Sequence, residues 1–221
     1  MQKFDTPAPI TVDLNIPAGR VRFVAADRTD TTVDVRPADA SKRRDVKAAE
    51  QAMVDYADGV LRVRTAGVSN QYFGPSGSLA VTIHLPAGSR VEAKAGSAEV
   101  RAVGRLGDVA FDGAYRAITI DEAESLRLVA VDGDVEVGKL GGPAEISTAR
   151  GDIRIAEAVR GTIVLNTRSG SISVGAATGI SAALDASTTH GRISNALKND
   201  GNTELDIHAV TAQGDILARS L

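Results

Sequence analysis

Arg150, Gly151 and Asp152, within the stretch ARGDIRIAEA, form the tripeptide by which many extracellular ligands are gripped by cell-surface receptors. Asp134 and Asp152 occupy equivalent places in successive repeats. Two carboxylates stacked about 4.8 Å apart repel by about 0.9 kcal/mol in water, a repulsion that a calcium ion would relieve. The next corners carry Ser171 and Arg192, however, and the glycine and aspartate nonapeptide of calcium-binding β-helices is absent, so no metal is expected. His84, His190 and His208 lie far apart and lack metal-ligand spacing. Polysaccharide hydrolysis needs two carboxyl groups roughly 5 to 10 Å apart. Glu145 and Asp121 come nearest to this, and neither has an acidic neighbour on the same face of the adjoining rung. GPSGS at 74–78 lacks the lysine and the strand-to-helix setting of a phosphate loop. The expectation is a non-enzymatic protein without a cofactor. Tyr72 and Phe73, in the loop AGVSNQYFGPSGS, are candidate binding residues that could stack on a sugar or anchor a partner; rings folded over the base of their own loop are the plainer reading.

What must position these residues is a chain of 221 residues, 43% hydrophobic but only 3% aromatic and without tryptophan. Such a core is filled by Val, Ile, Leu and Ala, which suits thin, closely stacked layers. The net charge of −3 is spread over interspersed signs, which argues against a nucleic-acid partner. There is no cysteine, which excludes thiol chemistry and disulfides. No apolar run of about 18 residues suggests a membrane span. The start, MQKFDTPAPITVDLNI, passes directly into strand-like alternation without an apolar leader, so a cytoplasmic location is expected.

From Ile10 the alternation has period two, with Ile10, Val12, Leu14 and Ile16 on one side of a half-buried strand. Pro17-Ala18-Gly19 then turns the chain, and the same tripeptide returns at Pro86-Ala87-Gly88. Between them SKRRDVKAAEQAM offers Ser41 as the N-cap of a short helix, and Asp58-Gly59 reads as a hairpin turn. Residues 1–95 are expected to be an antiparallel β-rich capping region with one short helix.

Beyond Gly96 the chain repeats itself: GDVEV at 133, GDIRI at 151, GSISV at 170, GRISN at 191 and GDILA at 214. One aliphatic column runs Val100, Ile118, Val135, Ile153, Ile172, Ile193, Ile216, and a second runs Val109, Leu128, Ile146, Leu165, Leu184, Ile207. Two short strands per period of about 18 residues, joined by Gly-rich corners, predict a parallel β-solenoid over 96–221. On its outer surface Glu136 would neighbour Arg154, and Arg127 would neighbour Glu145. Gly-Asp corners recur at 107, 133, 151 and 214, so with 19 arginines in the chain an Arg ahead of one of them is unremarkable in the plain sense. Asp152 is expected to accept a backbone N–H at its turn.

The VDLNIPAGRVRFVAAD opening, the DGVLRV hairpin, the VTIHLPAGSRVEA strand pair and the run of GDV and GDI corners resemble a bacterial, actinobacterial-type β-strand-repeat family of unknown function labelled "putative adhesin". The resemblance implies an all-β, right-handed parallel β-solenoid and no agreed activity, cofactor or catalytic residue. The functional expectation is a cytoplasmic interaction or scaffold module; the alternative is a glycan-binding, adhesin-like surface protein. Reading the coils in sequence order places Ile216 and Leu217 on the last rung, with little chain left to cover it, and predicts an end-to-end homodimer through 191–221.

Overall fold

Ile10, Val12, Leu14 and Ile16 are all buried and the residues between them half-exposed, so the period-two alternation does become strand. The computed structural model describes residues 1–65 and 77–221. Within them the chain is all-β with one helix, in two compact units, Met1–Arg116 and Ala117–Leu221.

In the first unit the chain order is β1 (Gln2–Asp5), β2 (Thr11–Ala26), β3 (Asp30–Pro37), α1 (Arg43–Glu50), β4 (Ala52–Ala57), β5 (Val60–Thr65), β6 (Leu79–Pro86) and the start of β7 (Arg90–Ala130). The expected antiparallel region is only partly antiparallel. β1 on β3, β3 on β6 and β4 on β5 are. β2, however, pairs in parallel with β5, β6 and β7. The physical reason lies in Pro17-Ala18-Gly19, which bends one continuous strand instead of reversing the chain. Gly19 has φ 141°, and a Cβ there would stand 1.9 Å from the Leu79 carbonyl oxygen. Residues 11–15 thus meet β5 while 19–26 meet β6, and β7 runs along both halves. The core is aliphatic apart from Phe23 and Phe111, whose rings stack with centroids 6.4 Å apart.

Asp58 and Gly59 both have positive φ, as a two-residue hairpin turn of the primed type requires, and they join β4 to β5. Ser41 is not the helix cap. Lys42 holds that position without a side-chain bond, while the Asp39 carboxylate accepts the Ser41 N–H at 3.0 Å and its hydroxyl at 2.7 Å. These bonds and the Lys42 ammonium lower the Asp39 pKa to about 2. The helix packs on β3 and β6 and buries Asp45, whose carboxylate accepts the Ser78 N–H at 3.0 Å.

The second unit follows with the end of β7, then β8 (Asp134–Leu140), β9 (Ala144–Arg150), β10 (Ile153–Ala158), β11 (Gly161–Ser169), β12 (Ile172–Ala176), β13 (Ala182–His190), β14 (Ile193–Ala196), β15 (Leu205–Gln213) and β16 (Ile216–Ser220). Every pairing here is parallel. One row of strands is the end of β7, then β9, β11, β15, β13; the other is β7, β8, β10, β12, β16, β14. The last coil in the chain is therefore not the last in space. β15 and β16 lie between the β11–β12 coil and the β13–β14 coil.

The first aliphatic column accordingly runs Ile118, Val135, Ile153, Ile172, Ile216, Ile193. The second also shifts. Leu165 stands beside Ile146 and Ala209, while Leu184 and Ile207 are partners and the matching residue on β11 is Ile163. Segment 197–204 makes the backward step possible. It is tied down by Lys198, whose N–H donates to Ser220 Oγ and whose carbonyl accepts the Ala182 N–H, each at 2.9 Å.

Candidate functional site

The Gly-Asp corners of the second unit form a continuous ladder. The Asp134 carboxylate accepts the Asp152 N–H at 2.9 Å, Asp152 accepts the Ser171 N–H at 2.7 Å, Ser171 Oγ accepts the Asp215 N–H at 3.2 Å, and Asp215 accepts the Arg192 N–H at 2.8 Å. The order 134, 152, 171, 215, 192 repeats the intercalation seen in the strands. Behind three of these corners a threonine hydroxyl donates to a glycine carbonyl: Thr167 to Gly151, Thr211 to Gly170 and Thr188 to Gly214. The glycines are required because a Cβ on Gly151, Gly170 or Gly214 would lie 2.0 to 2.2 Å from the carbonyl oxygen of the preceding rung.

This geometry accounts for the Arg150-Gly151-Asp152 tripeptide. The Arg150 guanidinium is paired with Asp132, at 2.7 Å for Nη2, and holds that carboxyl below the usual aspartate range. Gly151 has no room for a side chain, and Asp152 spends Oδ1 on Ser171. The bond that Asp152 was expected to accept thus comes from the next rung.

Ladder and strands end together at β13 and β14. β13 pairs only with β15 and β14 only with β16, so among the described residues the outer edges of both are unpaired. All four residues of β14 are exposed, and Ile193 shows 46% of its surface. Ile216, expected on the final rung, is instead 1% exposed, because Ile172 and Ile193 flank it. Leu217 is 39% exposed and points outward between Ser173 and Ser194. The exposed terminal residue is Ile193, which sequence order had hidden in the interior.

The other sequence candidates are not brought together. Tyr72 and Phe73 lie outside the described residues. His84 Nδ1 is 3.2 Å from Thr32 Oγ1, His208 sits between Asp206 and Asp185, and His190 pairs in register with Gln213. Glu145 faces Arg127 at 3.7 Å, as the outer-surface ladder predicts, and Arg154 is in register with Glu136. No group of three His, Cys, Asp or Glu among the described residues could hold a metal ion, and no described helix is long and apolar enough to cross a membrane.

Stacked parallel strands, a glycine at each inner corner and a side-chain ladder between corners define a β-strand-repeat protein. The chain belongs to the Toastrack family, DUF4097, a family of unknown function whose profile matches residues 11–218. Among solved structures it is similar to a "putative adhesin" from Parabacteroides distasonis, at 11% identity over 98% of this chain and 95% of that one, with TM-score 0.48. A "putative lipid binding protein" from the same species matches at 13% identity over 98% and 95%, with TM-score 0.46. A "putative cell adhesion protein" from Clostridium sporogenes matches at 10% over 100% and 98%, with TM-score 0.41. No curated protein matches the sequence at a significant level.

Proposed function

We propose that this chain is a non-enzymatic, cytoplasmic interaction and scaffold module, a right-handed solenoid with coils of about 18 residues that joins a second copy of itself end to end. The open β13–β14 coil carries the self-association in this reading. A strand edge with free N–H and C=O groups recruits another strand unless something covers it. A two-fold axis beside β14 sets the edge antiparallel to its own copy, so each row of donors and acceptors meets its complement, and each Ile193 covers the other. Both signs of charge are present at this end, with Asp185, 83% exposed at its side chain, and the exposed Arg192 and Lys198, so two copies can set opposite charges against each other.

Sedimentation equilibrium at tens of micromolar tests the proposal. The parent chain is expected to be a dimer and Ile193→Asp a monomer with an unchanged circular dichroism spectrum. A strict monomer for the parent would overturn the dimer. Recovery of the native protein on the outer surface of fractionated cells would overturn the cytoplasmic assignment.

A further inference from the structure

We propose that the outward face of β6, β2 and β7 in the first unit binds a phosphate-type oxyanion through Arg20, Arg22 and Arg101. The strand registers put two rows side by side. Ala80, Arg20 and Glu99 form one, and Thr82, Arg22 and Arg101 form the next. Short side chains at Ala80 and Thr82 leave a trough along β6 between taller neighbours, and a cavity of about 240 Å³ lies there.

The charges around the trough do not cancel. On its far wall, Arg36 stands beside Ala80 and Asp34 beside Thr82, and these two are bound to each other at 2.7 Å. Asp34 also lies 3.8 Å from the amino terminus. Among the described residues Arg20, Arg22 and Arg101 form no ion pair within 4.0 Å, although Glu99 is the register partner of Arg20. Three guanidinium groups therefore face one free carboxylate.

Arg22 and Arg101 are direct lateral neighbours. Like charges in that arrangement destabilise a sheet, so the pair costs the fold something that a bound anion would return. Adjacent guanidinium forks also match the spacing of oxygens on a tetrahedral anion, which they grip through paired N–H bonds. The methylene stems of the arginines and the Ala80 methyl line the trough with apolar surface below a charged rim. Its volume is smaller than the roughly 300 to 1,000 Å³ of pockets that engulf a whole drug-sized ligand. The trough thus holds a phosphate headgroup while the rest of the ligand projects from it.

A soluble phosphate ester and a phospholipid headgroup share this chemistry, and two assays separate them. The first is a calorimetric titration of the full chain with pyrophosphate at low salt; the second is flotation with vesicles of phosphatidylglycerol or, as control, phosphatidylcholine. Binding of pyrophosphate alone assigns a soluble ligand, and binding of phosphatidylglycerol vesicles assigns a lipid headgroup. In whichever assay is positive, Arg22→Gln and Arg101→Gln are each expected to weaken binding about tenfold or more. Arg154→Gln, an outward arginine of the second unit, should leave binding unchanged. Relief of the like-charge contact predicts that Arg22→Gln melts at or above the parent temperature in phosphate-free buffer. Should that variant fail to fold, Arg22→Lys keeps the charge, loses the fork and should still weaken binding severalfold. No binding in either assay, or equal losses for the Arg154 control, would overturn the site.

Discussion

Ile216 and Ile193 exchange roles between the two ways of stacking the last coils, so truncating each to alanine reads the stacking order directly. In the structure Ile216 is 1% exposed, with Ile172 on one side and Ile193 on the other. Removing its side chain opens a closed cavity, and Ile→Ala at such a site costs about 2 to 5 kcal/mol. Ile193 is 46% exposed and has a partner on one side only. Three carbons at about 0.8 kcal/mol each, roughly halved by that exposure and with no enclosed void, give about 1 kcal/mol. For a chain of this length 1 kcal/mol corresponds to about 2 to 4 °C, so Ile216→Ala should melt roughly 4 to 20 °C below the parent and Ile193→Ala only about 2 to 4 °C below it.

Both variants are compared by urea unfolding and thermal melts well below the micromolar range, so that covering of Ile193 by a second copy does not enter. Had the coils stacked in chain order, Ile193 would sit between Ile172 and Ile216, and the ranking would reverse. An Ile193→Ala loss equal to or larger than that of Ile216→Ala would refute the intercalated register. Hydrogen exchange adds a second reading, because β15 and β16 carry neighbours on both sides and should be better protected than β13 and β14.

Ile153→Ala, between Val135 and Ile172, should cost about 2 to 5 kcal/mol, while exposed Arg154→Ala should cost under about 1 kcal/mol; similar losses in urea unfolding would refute the inward and outward alternation. Gly214→Ala and Gly179→Ala both force an alanine to positive φ, but only at Gly214 would the Cβ meet a backbone oxygen, 2.1 Å away, so its melting temperature should fall further. The Asp132 pKa lies below its ordinary value of 3.8, chiefly through the Arg150 hydrogen bonds. A lowered carboxyl pKa contributes stability above the unfolded value, and that contribution is lost as pH falls through the folded value. Asp132→Asn should therefore melt slightly below the parent at neutral pH, with the gap narrowing as pH falls below about 4; a gap of unchanged size at pH 2 would refute the assignment.

The repeat was legible because its cause is local. A glycine at an inner corner, an aliphatic two residues later and a polar residue between them are dictated by one rung touching the next, so Val135, Ile153 and Ile172 fall into place from spacing alone. Asp58-Gly59 was legible for the same reason, since two consecutive positive φ values select those residues. The order of rungs is not local. Ile193 and Ile216 fit the same slot, both following a Gly-polar corner, and nothing within either strand says which lies nearer to Ile172. The only trace is in the connections, where spacings of 19 residues or fewer give way to 21 and 23 around Ile193 and the polar segment KNDGNTELD appears. A longer link is what a chain needs to pass over one rung and return beneath it. The first unit hides its topology in the same way: Pro17-Ala18-Gly19 and Pro86-Ala87-Gly88 are identical in sequence, yet one bends a single strand and the other carries the chain from β6 to β7. No local pattern gathers Arg20 and Arg22 with Arg101, which lies about 80 residues further along the chain and becomes their neighbour only when β2 and β7 run parallel. Sequence periodicity thus identifies which residues face inward, whereas the residues exposed at an open edge or gathered on a face depend on which strands become neighbours, and here that is decided by the lengths of the links between them.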